Sequence, residues 1–137
     1  MRGLVLLGGL ALFGASLASA EEKVDLKAAG VGRGLFLQYC ASCHGTDAKG
    51  SGPAAASLKG PLPDLTALPR KNGQFDEAKV RTSIEGTQAK TAHGTREMPV
   101  WGKVFENRPA KPGAGWAQTD IWALTQYIQS IQAPAPK

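Results

Sequence analysis

The residues that could do chemistry in this chain are few enough to read one by one. It has 137 residues, with two cysteines, two methionines and two histidines. Three of the six stand together in Cys40-Ala41-Ser42-Cys43-His44. A C-x-x-C-H run is an attachment sequence for covalently bound haem. Two thiols three residues apart at a helix end lie close in space, so they can add to the two vinyl groups along one porphyrin edge. The histidine that follows can turn beneath the ring plane and present Nε2 to the iron.

Three other chemistries use the same residue types. A C-x-x-C pair can be a thioredoxin-type redox couple, which goes with a βαβ setting that is not readable here. Cys40, Cys43, His44 and His93 are enough ligands for a zinc ion, but that assignment gives no purpose to the remaining methionine. A Cys40–Cys43 disulfide would cross-link almost nothing. Haem attachment accounts for the most residues.

A haem iron with one histidine has a sixth position to fill. Met98 is the candidate, in the setting Met98-Pro99-Val100-Trp101-Gly102. A thioether opposite a histidine raises the haem potential, and the proline stiffens the backbone just after the sulfur. Ordinary core packing is the alternative role for a methionine. His93 is the rival ligand and would give a bis-histidine iron of lower potential. Met98 is favoured.

Met1 belongs to a segment read as an address. Arg2 gives a positive start, residues 4–17 are apolar and uncharged, and Ala18-Ser19-Ala20 is a small-residue cleavage site followed by Glu21-Glu22. That is the layout of a secretory signal peptide. The apolar run is shorter than the roughly 20 residues a spanning helix needs. Residues 1–20 are therefore expected to be removed, leaving one domain over 21–137, no membrane span, and a periplasmic location. Met98 is then the one methionine left.

The elements that must hold these residues read as helices. Residues 25–40 carry Val31, Leu35, Phe36 and Tyr39 at roughly helical spacing, weakened by Gly30, Gly32 and Gly34. Residues 45–73 form a long Gly/Pro/Ala/Ser-rich stretch with no period, which needs something to wrap around. Residues 75–85 read as a helix with Asp76 and Glu77 in its first turn and Gly86 as its stop. Residues 98–105 suggest a short helix with Pro99 in its first turn, followed by a loop over 107–115. Residues 119–132 form the clearest helix, with Thr119 as N-cap, Asp120 in the first turn, and Ile121, Leu124, Ile128 and Ile131 along one face. There is no strand-like alternation, so the class is all-α.

Composition narrows function further. Gly 17 and Pro 9 in so short a chain leave little helix and a modest core, and small domains often need a staple or cofactor. A large apolar cofactor would supply the missing interior. The formal charge of +5 comes from scattered Lys and Arg, too mild for a nucleic-acid binder, so no nucleic-acid partner is expected.

Over residues 27–131 the chain resembles a class I c-type cytochrome. The resemblance rests on Gly34-Leu35-Phe36 before Tyr39-Cys40-Ala41-Ser42-Cys43-His44-Gly45, then Gly50-Ser51-Gly52-Pro53, Met98-Pro99-Val100-Trp101-Gly102, and Leu124 with Tyr127-Ile128. It implies a cytochrome c fold around one covalently bound haem c, with the terminal helices crossing so that Gly34 and Phe36 meet Leu124 and Tyr127. It also implies that the Pro53 carbonyl accepts Nδ1–H of His44, fixing the imidazole. Trp101 would pack near the haem edge or a propionate, or simply in the core. Arg96 is a weaker propionate candidate than a plain surface arginine.

The implied activity is electron transfer. With His44 and Met98 both bound, iron has no open site, so the chain would cycle Fe(III)/Fe(II) and exchange electrons with donor and acceptor proteins. It would work as a free carrier or as the haem subunit of a redox enzyme. The alternatives are a haem enzyme, such as a peroxidase, or a diatomic-gas sensor. Both require Met98 to be displaceable.

Overall fold

The protein is described by a computed structural model covering residues 23–58, 60–87 and 98–134. Residues 1–20, read above as an address, and His93 and Arg96 lie outside the described residues. Five α-helices follow in order: α1 (Leu26–Tyr39), α2 (Ala41–His44), α3 (Glu77–Glu85), α4 (Trp101–Glu106) and α5 (Ala114–Ser130). A single 3₁₀ turn spans Ala55–Ser57. Among the described residues there is no strand, only an isolated bridge between Lys71 and Gln74. The class is all-α.

α1 begins where its cap is. The Asp25 carboxylate accepts a hydrogen bond from the Ala28 N–H, satisfying a donor that the helix itself leaves unpaired, which is typically worth about 1 kcal/mol. The Asp25 N–H in turn donates to the Gln126 side-chain oxygen of α5 at 2.8 Å. The start of the first helix is thereby tied to the last. The buried face of α1 is Ala28, Ala29, Gly32, Leu35 and Phe36. Val31 is not on it; it is 53 % exposed. Small residues make most of this face because the neighbouring backbone is too near for large ones.

That neighbour is α5. A Cβ at Gly32 would stand 1.9 Å from the Ala123 carbonyl oxygen and 2.9 Å from the Tyr127 Cβ. Gly34, expected at this crossing, faces open space instead. It lies two residues, about 200° of helix rotation, from Gly32, so both cannot face α5. Phe36 does meet Tyr127, with ring centroids 5.2 Å apart.

α3 runs from the Asp76 cap, whose carboxylate accepts from Lys79 N–H, to Gly86 in the left-handed region at φ 75°. α4 starts at Trp101, later than the spacing suggested, and Pro99 lies before it. A residue preceding proline is disfavoured in helical conformation, and Met98 lies outside α4. α5 starts at Ala114, five residues earlier than expected. Thr119 is no cap: its hydroxyl donates to the Gly115 carbonyl one turn back, and Asp120 is buried.

The long loop is anchored rather than loose. Leu65 N–H donates to the Ala48 carbonyl at 2.8 Å, and Ala133 N–H to that of Thr66 at 2.7 Å. The Gln132 side chain donates to the Leu65 carbonyl and accepts from Leu68 N–H. The Asp64 carboxylate takes both the N–H and hydroxyl of Thr66, and these bonds hold its pKa below the usual value. The core itself is thin. Six of the fifteen buried apolar residues among those described are alanines, and Phe36, Phe105, Ile121 and Leu124 are the large apolar side chains closed off completely.

Gly32→Ala forces α1 and α5 apart and is expected to cost roughly 1–3 kcal/mol, read as a fall in Tm. Gly34→Ala adds a methyl into open space and removes a helix-interior glycine. It is expected to be neutral or to stabilise by up to about 1 kcal/mol. Equal melting temperatures for the two variants would contradict the crossing described.

Candidate functional site

The C-x-x-C-H run occupies the joint between two helices. Cys40 ends α1, its N–H donating to the Phe36 carbonyl, and also begins the single turn of α2. Within that turn His44 N–H donates to the Cys40 carbonyl at 2.9 Å and Gly45 N–H to that of Ala41 at 2.9 Å. Gly45 breaks the turn with φ 79°. The two cysteines thus share one helical turn, and His44 closes it.

The segment that follows folds back over this turn. Gly52 N–H donates to the Cys43 carbonyl at 3.0 Å, Ala54 N–H to Ser42 at 2.8 Å, and Gly50 N–H to His44 at 2.8 Å. The last carbonyls of α2 are thereby satisfied without side chains. A Cβ at Gly52 would lie 2.4–2.7 Å from the carbonyl oxygens of Ala41, Ser42 and Cys43, so glycine is required for this approach. Pro53 sits between the two anchored residues Gly52 and Ala54, in the turn beside His44. His44 itself is buried, and its Nδ1 is out of reach of solvent.

Cys40, His44 and Met98 all line one cavity of about 370 Å³. Phe36, Leu124 and Ile128 contribute from α1 and α5, and Val80 and Ile84 from α3. The long loop contributes Pro63, Leu65, Leu68 and Pro69, and Phe75 comes from just before α3, which answers what the loop wraps around. Asp76, Lys79 and Ser83 are the polar groups at its margin. An apolar chamber of this size with a few convergent polar or metal-binding groups is the usual form of a cofactor site. A thiol, a buried imidazole and a thioether around apolar walls fit a haem bound covalently and ligated axially. Cys43 and Trp101 do not line the chamber. Cys43 is half-buried beside it. Trp101 stacks on Phe105 (5.8 Å, 28°) and meets Tyr39 edge-on (5.8 Å, 63°).

The electrostatics disfavour the competing chemistries. Burial first, and the adjacent Cys43 second, push the Cys40 thiol up to about 12. A thioredoxin-type nucleophile needs the opposite shift. The two cysteines are not bonded to each other. Among the described residues no three His, Cys, Asp or Glu side chains are grouped to hold a metal ion.

With this geometry the chain can be placed among known proteins. The cytochrome c family pattern matches residues 30–132, from within α1 to just past α5. The chain belongs to the cytochrome c family, and its helical fold is that of a class I c-type cytochrome. Members bind haem c covalently and pass electrons between redox partners, and are generally carriers rather than enzymes. No solved structure matches the chain significantly. No helix among the described residues is long and apolar enough to cross a membrane.

Several residues important to the site were not apparent from spacing. Gln132 anchors the cavity loop from beyond the end of α5, and Arg108 pairs with Asp120 across the helix packing. Both are long-range polar contacts, and such contacts leave no local periodicity to read.

Gly52→Ala is expected to destabilise the holoprotein by roughly 1–3 kcal/mol through overpacking on the α2 carbonyls. Denaturant titration checks this. Gly60→Ala, whose Cβ would meet nothing, is the control and should leave the midpoint nearly unchanged.

Proposed function

We propose that the chain is an exported single-haem electron carrier, acting free or as the haem subunit of a periplasmic redox enzyme and not itself a catalyst. The observation that carries this reading is the meeting of His44 and Met98 in one apolar cavity beside Cys40. Cys40 and Cys43 would hold a haem through two thioether bonds, and His44 and Met98 would ligate its iron. Bound there, the haem supplies a one-electron Fe(III)/Fe(II) couple.

The protein's own residues do the rest. Tethers and histidine sit on one helical turn whose backbone is hydrogen-bonded on both sides, so the imidazole is presented from a fixed frame. Pro53 is held between Gly52 and Ala54; a hydrogen bond from Nδ1–H of His44 to its carbonyl, as the resemblance implies, would orient the ring and raise its basicity. Met98 would take the iron position left open by His44 and keep exogenous ligands from it. Phe36, Leu124, Ile84 and Phe75 exclude water, and the thioether raises the potential. His93 and Arg96 have no assigned part. The partners are donor and acceptor proteins met in short encounters, which a formal charge of +4, the full chain's +5 less Arg2, would steer toward acidic surfaces.

Export rests on the N-terminal layout: Arg2, an uncharged apolar run, and Ala18-Ser19-Ala20. The mass of the protein recovered from the periplasm is expected to match residues 21–137 plus one haem. A mass that retains residues 1–20 contradicts cleavage. Haem should stay with the chain under acid extraction, and Cys40→Ala/Cys43→Ala should release it.

Met98→Ala tests the distal ligand. The ferric protein is expected to lose its weak sulfur–iron absorption near the red end, and the ferrous protein to bind CO. The potential should fall. An unchanged spectrum would remove Met98 from the iron, and ready CO binding by the unaltered ferrous protein would favour an enzyme or gas sensor.

A further inference from the structure

Away from the cavity, one buried charge pair has no part in the roles assigned above. Asp120 lies within α5 with 4 % of its side chain exposed, and Arg108, in the loop after α4, donates Nη2 to its Oδ2. The guanidinium also lies over the Phe105 ring, 5.7 Å from its centroid. Its Nε is buried without a hydrogen-bond partner. The arginine, 17 % exposed, is therefore committed to one carboxylate and one ring, and the carboxylate it meets is closed off from solvent.

Both ends of this pair lead toward Met98 and its cavity. Phe105 is closed off from solvent and stacks on Trp101, and both rings pack edge-on against Tyr39, the residue before Cys40. Trp101 is three residues after Met98, with the stiff Pro99 between them. On the other side, Asp120, Leu124 and Ile128 are successive i, i+4 neighbours along one row of α5, and Leu124 and Ile128 line the cavity. Val100 completes the arrangement: a Cβ on Gly86 at the end of α3 would come within 2.9–3.1 Å of it. The Met98 segment is thus held at Val100 against α3 and at Arg108 against α5.

We infer that the Arg108–Asp120 pair positions the distal ligand by locking the 98–108 segment in register with the cavity wall, an inference that rests on Met98 being that ligand. Arg108 and Asp120 are positioning residues, since neither lines the cavity. A single planar guanidinium meeting a buried carboxylate has one good geometry, whereas apolar packing alone tolerates sliding. A weak sulfur–iron bond is the interaction such sliding would break first.

The test uses the intact holoprotein. Asp120→Asn removes the charge at nearly constant shape, and Arg108→Met/Asp120→Leu removes both charges at similar volume. Replacing a buried pair by apolar residues commonly keeps or raises stability, so the double variant is the one certain to be readable if Asp120→Asn folds poorly. Expected for both is native helix content by circular dichroism, loss of most of the sulfur–iron band, CO binding by the ferrous protein, and a lowered potential. Arg108→Lys should retain more of the band than Arg108→Gln. The inference is overturned if the double variant keeps the full band and excludes CO, whatever its Tm. Met98→Ala separates the two readings. Loss of the band there with an intact band in the double variant defeats the positioning role alone. An unchanged band in Met98→Ala defeats the ligand assignment beneath it.

Discussion

The close approach of α1 to α5 is the constraint on which the rest of this small protein depends. Gly32 lets the two backbones come so near that a single methyl would collide with the Ala123 carbonyl. α1 leads directly into Cys40, and α5 supplies Leu124 and Ile128 to the cavity. The crossing therefore sets where the C-x-x-C-H turn stands relative to the chamber it serves. The Asp25–Gln126 bond fixes the same pair of helices at one end, and Phe36 against Tyr127 fixes it further along. A shift of this contact would move the site, not merely loosen the fold.

A second constraint is the shortage of core. Alanines make up much of the buried apolar set, and few large side chains are fully enclosed. The cavity walls come from five separate stretches of chain, including a long segment with no regular structure of its own. Apolar faces of that kind do not close on each other without leaving space. In a haem protein the cofactor takes that space, so binding and folding become one event. The polar anchors Gln132, Asp64 and the Ala48 carbonyl show how the loop is kept in place around it. Each satisfies backbone groups that burial would otherwise leave unpaired.

What could be read from the sequence divides along the range of the interactions involved. Local chemistry places the ends of α1 and α3 to within two residues: Gly86 stops α3 as read, while Asp25 and Asp76, read as part of the helices, stand as the caps just before them. The residue types of the site were equally plain, because C-x-x-C-H followed by a lone Met-Pro is a local pattern. The start of α5 was misread for the converse reason. Thr119-Asp120 has the composition of a helix start, but Asp120 is held in the helix interior by Arg108, twelve residues earlier in the chain. Gly34 was expected at the helix crossing where Gly32 stands, since sequence alone does not say which of three alternate glycines faces the partner. Val31 looked like core by its size, while the face that is buried selects for smallness. The shared cavity was out of reach of any local pattern, being a property of five segments together.

The buried charge pair bears on why such a fold suits electron transfer. A carrier works best when both oxidation states share one geometry, so that little must rearrange when the electron moves. Apolar packing gives water exclusion but weak directional control. A buried ion pair gives direction, although taking two charges out of water costs as much as their attraction returns. A pair of that sort is poor evidence for stability, and its place in the fold is better explained by what it orients. Here it fixes the segment bearing the proposed thioether ligand, the partner on the haem whose bond to iron is weakest. On the His44 side no such device would be needed, because the two proposed tethers and a hydrogen-bonded turn would already hold the imidazole. The difference between the two sides thus follows from the chemistry of the ligands: a covalently anchored imidazole positions itself, and a thioether has to be positioned by the chain around it.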